Sequence, residues 1–238
     1  MKNNIIIDCF AGGGGASVGI EMALGRSVDI AVNHDPQAIR MHMVNHPDTL
    51  HLTEDIFKVD LQKYVGDRHV ALMWASPDCT SHSKAKGGQP RKKGLRILPW
   101  AVYKHAKVLL PDVIIMENVE EIQQWGPLDA DGHPIPERRG EDYRKFITAM
   151  TSLGYDFDSR ELVAADYGAP RHGKDGMQSS GEMEIKSSGQ HLHTVKMGYY
   201  YRNGKNAVTI LTGLILEHPY LSVRSHWRRL QWTESVMV

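Results

Sequence analysis

Three short segments carry residue types that can do chemistry. The first is Ser76-Pro77-Asp78-Cys79-Thr80-Ser81-His82-Ser83, just after the apolar run Val70–Trp74. A cysteine at a strand end becomes a nucleophile when its surroundings favour the thiolate. The ordinary alternative is a small buried hydrophobe. That alternative suits Cys9, in the middle of a motif against a sheet, better than Cys79, which stands among polar residues. The second segment is Glu117-Asn118-Val119, ending the apolar run Val113–Met116. Partial burial there raises a carboxyl pKa toward general-acid use. The plainer role is an N-cap for a following helix, which Asn118 can also fill. The third is Asp8-Cys9-Phe10-Ala11-Gly12-Gly13-Gly14, where glycines let the backbone turn tightly and approach a nucleotide-like ligand. The strict dinucleotide fingerprint is absent: counted from Gly12 or Gly13, the third glycine position holds Ser17 or Val18. Asp35, after a second strand, can accept from two ribose hydroxyls. Nicotinamide and S-adenosylmethionine sites share that feature, so it does not choose between them.

Directly after Cys79 the chain is basic. Lys84, Lys86, Arg91, Lys92, Lys93 and Arg96 occur with no acidic residue among them, interrupted by Gly87, Gly88, Pro90 and Gly94. The spacing predicts a loop suited to phosphate contacts; a solvated surface loop has the same composition. His42 and His46 are one helical turn apart and His51 follows, but no cysteine or carboxylate completes a ligand set at the usual spacing. The reading is a solvated histidine face and no metal.

These residues must be held by a framework. At 238 residues, 41% apolar and 24% charged, the chain is long enough for a sizeable core, and bulk disorder is excluded. Lys plus Arg equals Asp plus Glu at 28 each, which excludes a globally basic coat but not a local patch. Two cysteines make no disulfide scaffold, so a reducing cytoplasm is the expected home. The apolar runs are too short to span a bilayer, and no signal peptide is read at Met1-Lys2-Asn3-Asn4. Up to about residue 170, strands and helices alternate. Strands are predicted at Asn4–Cys9, Val28–Val32, Val70–Trp74 and Val113–Met116. Helices are predicted at Ser17–Leu24, after Pro36 with Ile39, Met43 and Val44 turned inward, over Leu98–Leu109, and around Tyr143–Met150. Such units give a doubly wound α/β fold with a largely parallel sheet.

Taken in order, these motifs resemble the DNA cytosine-5 methyltransferase family, especially its short phage-type members, over roughly residues 4–170. Asp8 to Gly14 is similar to the family's Phe-x-Gly-x-Gly motif, and Asp35 and Asp55-Ile56 match its ribose and adenine contacts. Pro77-Asp78-Cys79 resembles its Pro-Pro-Cys loop with Asp78 in place of a proline; Glu117-Asn118-Val119 resembles its Glu-Asn-Val. The resemblance implies a Rossmann-like fold using S-adenosyl-L-methionine, with cofactor contacts at Asp8, Phe10, Gly12, Gly14, Asp35, Asp55, Ile56 and Pro77. It implies Cys79 as nucleophile, Glu117 at cytosine N3, and DNA contacts from Ser83, Lys84, Lys86, Arg91 and Lys92. Double-stranded DNA is the expected partner and a monomer the expected state. A catalytically dead remnant that still binds cofactor or DNA, and a nicotinamide-dependent oxidoreductase, are the alternatives. The broken glycine pattern and the Cys79/Glu117 pair weigh against the oxidoreductase.

Residues 1–170 are thus expected to form the catalytic domain and 171–238 an irregular tail. Ala165-Asp166-Tyr167-Gly168-Ala169-Pro170 leads toward the family's Gln-x-Arg-x-Arg motif, but the chain continues Arg171-His172-Gly173-Lys174-Asp175 without paired arginines. Codons compatible with this tail, read from the third base of the Pro170 codon, permit an Arg-x-Arg pair, an alternating strand and an Asp-Gly turn. We therefore expect a frame change near codon 170, and with it a sheet short of its closing strand and little methyl transfer. Within the tail only Val208–Leu216 reads as a core element.

Overall fold

The computed structural model of the protein describes residues 4–78, 96–163 and 194–201. Seven strands form one sheet: β1 (Asn4–Cys9), β2 (Ile30–Asn33), β3 (Leu50–Thr53), β4 (His69–Ala75), β5 (Val113–Val119), β6 (Asp156–Val163) and β7 (Thr194–Tyr201). Their order is β3-β2-β1-β4-β5-β7-β6. The first five are parallel to their neighbours; β7 runs antiparallel between β5 and β6. The order reverses between β1 and β4, and the crevice of an open α/β sheet opens at such a reversal.

The helices are α1 (Gly15–Leu24), α2 (Pro36–Asn45), α3 (Leu61–Val65), α4 (Leu98–Leu109) and α5 (Glu141–Ser152). Alternation along β1 sorts them onto the two faces of the sheet. Ile5, Ile7 and Cys9 join one core cluster with Leu61 and Val65 of α3, Ala101, Val102 and Ala106 of α4, and Phe146 and Met150 of α5. Asp8, on the opposite face, meets Ser17 of α1, which in turn meets His42 of α2. The doubly wound expectation holds for this sheet. No described helix is long and apolar enough to cross a membrane.

Local signals explain the element ends. Pro36 occupies the first turn of α2, and the Asp35 side chain caps that helix by accepting from the Gln37 amide at 2.8 Å. Gly25 ends α1 in the left-handed region at φ 66°. Ile39 turns inward as expected, but Met43 and Val44 are exposed, at 51% and 81%. The inward face of α2 is Ile39 with His42, and His46 follows at the C-cap, because the two rings find polar partners at Ser17, Gly14 and Glu21 on and before α1. The expected solvated histidine face is therefore wrong: His42 and His46 are buried.

The tail contributes one described element, β7. It pairs with β5 from Val113↔Tyr201 to Val119↔Val195 and with β6 from Asp156↔Tyr201 to Val163↔Thr194. In this structure β5 therefore has a partner on both sides, where the sequence reading leaves one side open. The remaining tail, including Val208–Leu216, lies outside the described residues.

Candidate active site

The parallel registers align four strand ends. Cys9 pairs with Val32 and with Ala75, and Ala75 pairs with Met116. One residue further on, Asn33, Phe10, Ser76 and Glu117 stand side by side along the carboxyl edge of the sheet. The three chemistry-bearing segments thus share one edge through register alone.

At the centre of that edge the chain makes a strained turn. Phe10 is left-handed at φ 64°, a rare conformation for a bulky residue, and Gly12 and Gly14 follow at φ 54° and 104°. The turn is pinned by the Ala11 amide donating to Val32 O (3.0 Å) and the Gly14 amide donating to Ala11 O (3.0 Å). A Cβ on Gly12 would meet nothing closer than Phe10 O at 3.9 Å, and one on Gly15 would meet nothing within 4 Å. Gly14 gives α1 no side-chain cap, and no acidic residue sits in its first turn. This open backbone surface with uncapped helix amides suits an anionic or nucleotide-like group.

The other cofactor candidates take different places. The Asp8 carboxyl is wholly buried beneath the turn, with Oδ2 accepting from Ser17 Oγ at 2.6 Å, and burial pushes it up to about 7. Asp35 lies two residues past the end of β2, engaged in capping α2; the strand itself ends on Asn33, whose Oδ1 accepts from the Asp35 amide at 2.9 Å. Asn33 was not singled out by sequence because an amide lacks the acidic signature of a ribose ligand. Exposed Asp55 accepts from the Phe57 amide at 2.8 Å, and the Ile56 side chain joins the core. Its carbonyl accepts from buried His105 Nε2 at 2.8 Å, which fixes this segment against α4.

Around the expected nucleophile the supports are described and the nucleophile is not. Pro77 is buried and Asp78 exposed. Cys79, Ser83, Lys84, Lys86, Arg91 and Lys92 lie outside the described residues. Ser76 Oγ accepts from Trp74 Nε1 at 2.6 Å. Burial raises the Glu117 carboxyl above its ordinary value, and a hydrogen bond from Ser76 partly offsets this. Asn118 is not an N-cap: it lies within β5, its Nδ2 donating to Pro77 O at 3.0 Å and its Oδ1 accepting from the Val119 amide at 2.9 Å. Cys9 is buried, and burial followed by the Asp8 charge drives its thiol pKa up, as befits a core residue.

A doubly wound sheet with a glycine turn and a half-buried carboxylate on its carboxyl edge defines a Rossmann-like domain, and the comparisons place it in the methyltransferase class. The chain belongs to the C-5 cytosine-specific DNA methylase family, whose model matches residues 5–173. It is 30% identical over 172 residues to the type II methyltransferase M.AgeI of Thalassovita gelatinovora, covering 70% of this chain and 37% of that protein. It is 25% identical over 180 residues to M.Sau3AI of Staphylococcus aureus, covering 71% and 41%. The chain thus spans about two-fifths of the length of these curated relatives. Among solved structures, one described as a DNA modification methyltransferase encoded within prophage (E. coli) superposes with TM-score 0.59 at 25% identity, covering 84% of this chain and 46% of that one. Spodoptera frugiperda DNMT2, at TM-score 0.57 and 16% identity over 85% of this chain and 50% of that one, shares the fold.

Proposed function

We propose that this chain is the catalytic part of a DNA cytosine-5 methyltransferase that uses S-adenosylmethionine and a covalent Cys79 adduct. The observation that carries the reading is the alignment of Phe10, Ser76 and Glu117 on one sheet edge, with Pro77, two residues before Cys79 in the chain, bonded through its carbonyl to Asn118. The open backbone at Gly12 and the uncapped start of α1 fit the cofactor, with Asn33 and the Asp55-Ile56 segment flanking. When bound, S-adenosylmethionine supplies an electrophilic methyl group.

The protein's own work is to make cytosine C5 nucleophilic. The target base is unreachable inside a duplex and has to be flipped out. The Cys79 sulfur adds to C6, forming an S–C6 bond as electron density moves toward N3 and C5. Glu117, whose carboxyl is biased toward the protonated form by burial, donates a proton or hydrogen bond at N3. After C5 is methylated, a base removes the C5 proton, any proton given to N3 returns to Glu117, and the S–C6 bond breaks to return the thiolate. The basic stretch from Lys84 to Lys92 would hold the displaced backbone through phosphate contacts.

The reading is tested with DNA containing 5-fluorocytosine, whose C5 fluorine cannot leave as a proton does. With S-adenosylmethionine present, the full chain is expected to form a denaturant-stable protein–DNA adduct that the Cys79→Ser variant does not. No adduct and no labelled methyl incorporation by the unaltered chain would overturn it in favour of a non-catalytic remnant. The absence of a Gln-x-Arg-x-Arg motif after Pro170 is what motivates that second reading, and with it a frame change near codon 170. The nucleotide sequence across that codon decides the frame: an open shifted frame supports the change, and a frame full of stops rejects it.

A further inference from the structure

Beneath the glycine turn lies a line of hydrogen bonds that the mechanism does not use. Ser17 Oγ is 2.6 Å from Asp8 Oδ2 and 3.0 Å from His42 Nε2; His42 Nδ1 is 2.8 Å from His51 Nε2. Asp8, Ser17 and His42 are sealed from solvent, whereas His51 is half-buried on β3. An ionised carboxylate only accepts, so Ser17 donates to Asp8 and accepts from His42 Nε2–H. A neutral imidazole has one N–H, so His42 Nδ1 accepts from His51 Nε2–H. Burial, then the neighbouring His46 and His51, hold His42 near a pKa of about 4, so it is neutral at ordinary pH. All three bonds therefore point one way, from His51 to Asp8. Asp8 Oδ1 is buried without a hydrogen-bond partner among the described residues.

The same residues touch the turn. A Cβ on Gly14 would lie 2.9 Å from the His46 ring and 3.4 Å from His42, so both rings form the floor under the start of α1. His46 Nε2 is 3.3 Å from Gly14 O and its Nδ1 is 3.2 Å from Glu21 Oε2. The titratable groups of and around the string are thus Asp8 on β1, Glu21 on α1, His46 after α2 and His51 on β3, with Cys9 next to Asp8 in the chain but on the opposite face of the sheet.

We propose that Ser17, His42 and His51 are positioning residues of the cofactor crevice, a hydrogen-bond string that couples the Phe10–Gly14 turn to proton exchange at His51. This rests on the crevice being the cofactor site. The string has two complete arrangements. In the first, Asp8 is ionised and every bond points toward it. In the second, His51 takes a proton from solvent on Nδ1 and passes its Nε2 proton to His42 Nδ1; His42 passes its Nε2 proton to Ser17, and Ser17 passes its own to Asp8 Oδ2. One proton has entered, both imidazoles remain neutral with exchanged tautomers, and all three bonds are reversed. With the Asp8 pKa raised to about 7, both arrangements are accessible near neutral pH.

Long-range ¹H–¹⁵N spectra of the full chain, without cofactor, test this directly. Neutral His42 is expected to change from the Nδ1–H to the Nε2–H tautomer as pH rises through about 7, with the Gly12 and Gly14 amides moving at the same midpoint. Ser17→Ala, a small change in a buried hydroxyl, is expected to uncouple the His42 tautomer from those amides. His51→Leu, at a half-exposed position, is expected to move their midpoint by about one pH unit. S-adenosylmethionine affinity, measured by titration calorimetry, is expected to change by about tenfold between pH 6 and 8 in the unaltered chain and to be flat in Ser17→Ala. Glycine amides that do not move across that range, or a His42 that becomes charged near pH 6.5, would overturn the string. If the amides and tautomer move together but no variant binds S-adenosylmethionine, the string stands and the reading of the crevice falls.

Discussion

The Asn118 carboxamide bridges two strand ends, donating to Pro77 O and accepting from the Val119 amide. The carbonyl two residues before Cys79 is therefore fastened to the residue next to Glu117. Because the amide is buried, its removal strands a carbonyl and an N–H away from water.

Asn118→Ala is accordingly expected to cost about 1–3 kcal/mol in denaturant unfolding. The loss of adduct formation should exceed what the unfolded fraction explains, since Pro77, two residues before Cys79, loses its hydrogen bond to the residue beside Glu117. A variant with unchanged stability would show that Pro77 O finds another donor.

Glu117→Gln keeps the shape and removes the acid. We expect cofactor binding to persist while methyl transfer falls roughly 10²–10⁴-fold. Ser76→Ala removes the hydrogen bond favouring the ionised form, so the Glu117 carboxyl pKa should rise further. The alkaline limb of the rate profile should move to higher pH in that variant, and a limb that stays put would separate Ser76 from Glu117.

Gly126 is a packing requirement. An added Cβ would stand 2.2 Å from Arg138 O, and the Gly126 carbonyl accepts from the buried Arg96 guanidinium at 2.7 Å. Gly126→Ala should cost about 1–3 kcal/mol or more in thermal or denaturant melts, because backbone rather than a side-chain tip has to move.

Asp8 and His42 give opposite pH slopes to stability. The folded-state pKa of Asp8 is raised to about 7, so its contribution is greatest below its ordinary value of 3.8 and is lost as pH rises toward 7. The folded-state pKa of His42 is lowered to about 4, so its contribution is present above 6.5 and is lost as pH falls toward 4. Between those limits the two largely cancel. Asp8→Asn should therefore leave stability rising with pH from about 4 to 6.5, a slope read from denaturant midpoints.

Met197→Pro tests the tail strand. Met197 lies opposite Glu117 on one side and Arg160 on the other, so a proline there removes a ladder donor inside the sheet. We expect a loss of about 1–3 kcal/mol from the ladder partner left unpaired. An unchanged melting temperature would remove Thr194–Tyr201 from the sheet.

The parts of this fold that were legible are those where burial and repetition coincide. Ile5–Ile7, Val70–Trp74 and Val113–Met116 are continuous apolar runs because helices cover both faces of a parallel sheet. β3 was invisible: it has four residues at the sheet edge, and only Leu52 is buried. Asp156–Val163 hides behind four charged residues, and no turn signal marked Thr194–Tyr201. At the candidate site, the positions of the glycine turn and of Glu117 on the sheet edge were readable from residue type. The histidines were misread because their partners, Asp8, Ser17 and Glu21, come from α1 and β1, more than a helix away in sequence. Single-chain spacing carries no trace of a hydrogen bond between His42 and Ser17.

Among the described residues β6 meets the sheet only through β7, which begins about thirty residues later in the chain. During synthesis, β5 and β6 are therefore both made before the segment that joins them. Until residue 201 has left the ribosome, each presents a row of unpaired backbone groups able to take up a foreign strand. Such delayed, non-local closure slows folding and lengthens exposure to aggregation. For this chain the hazardous interval is the time needed to translate the stretch from Val163 to Tyr201, and slower decoding there should lower soluble yield.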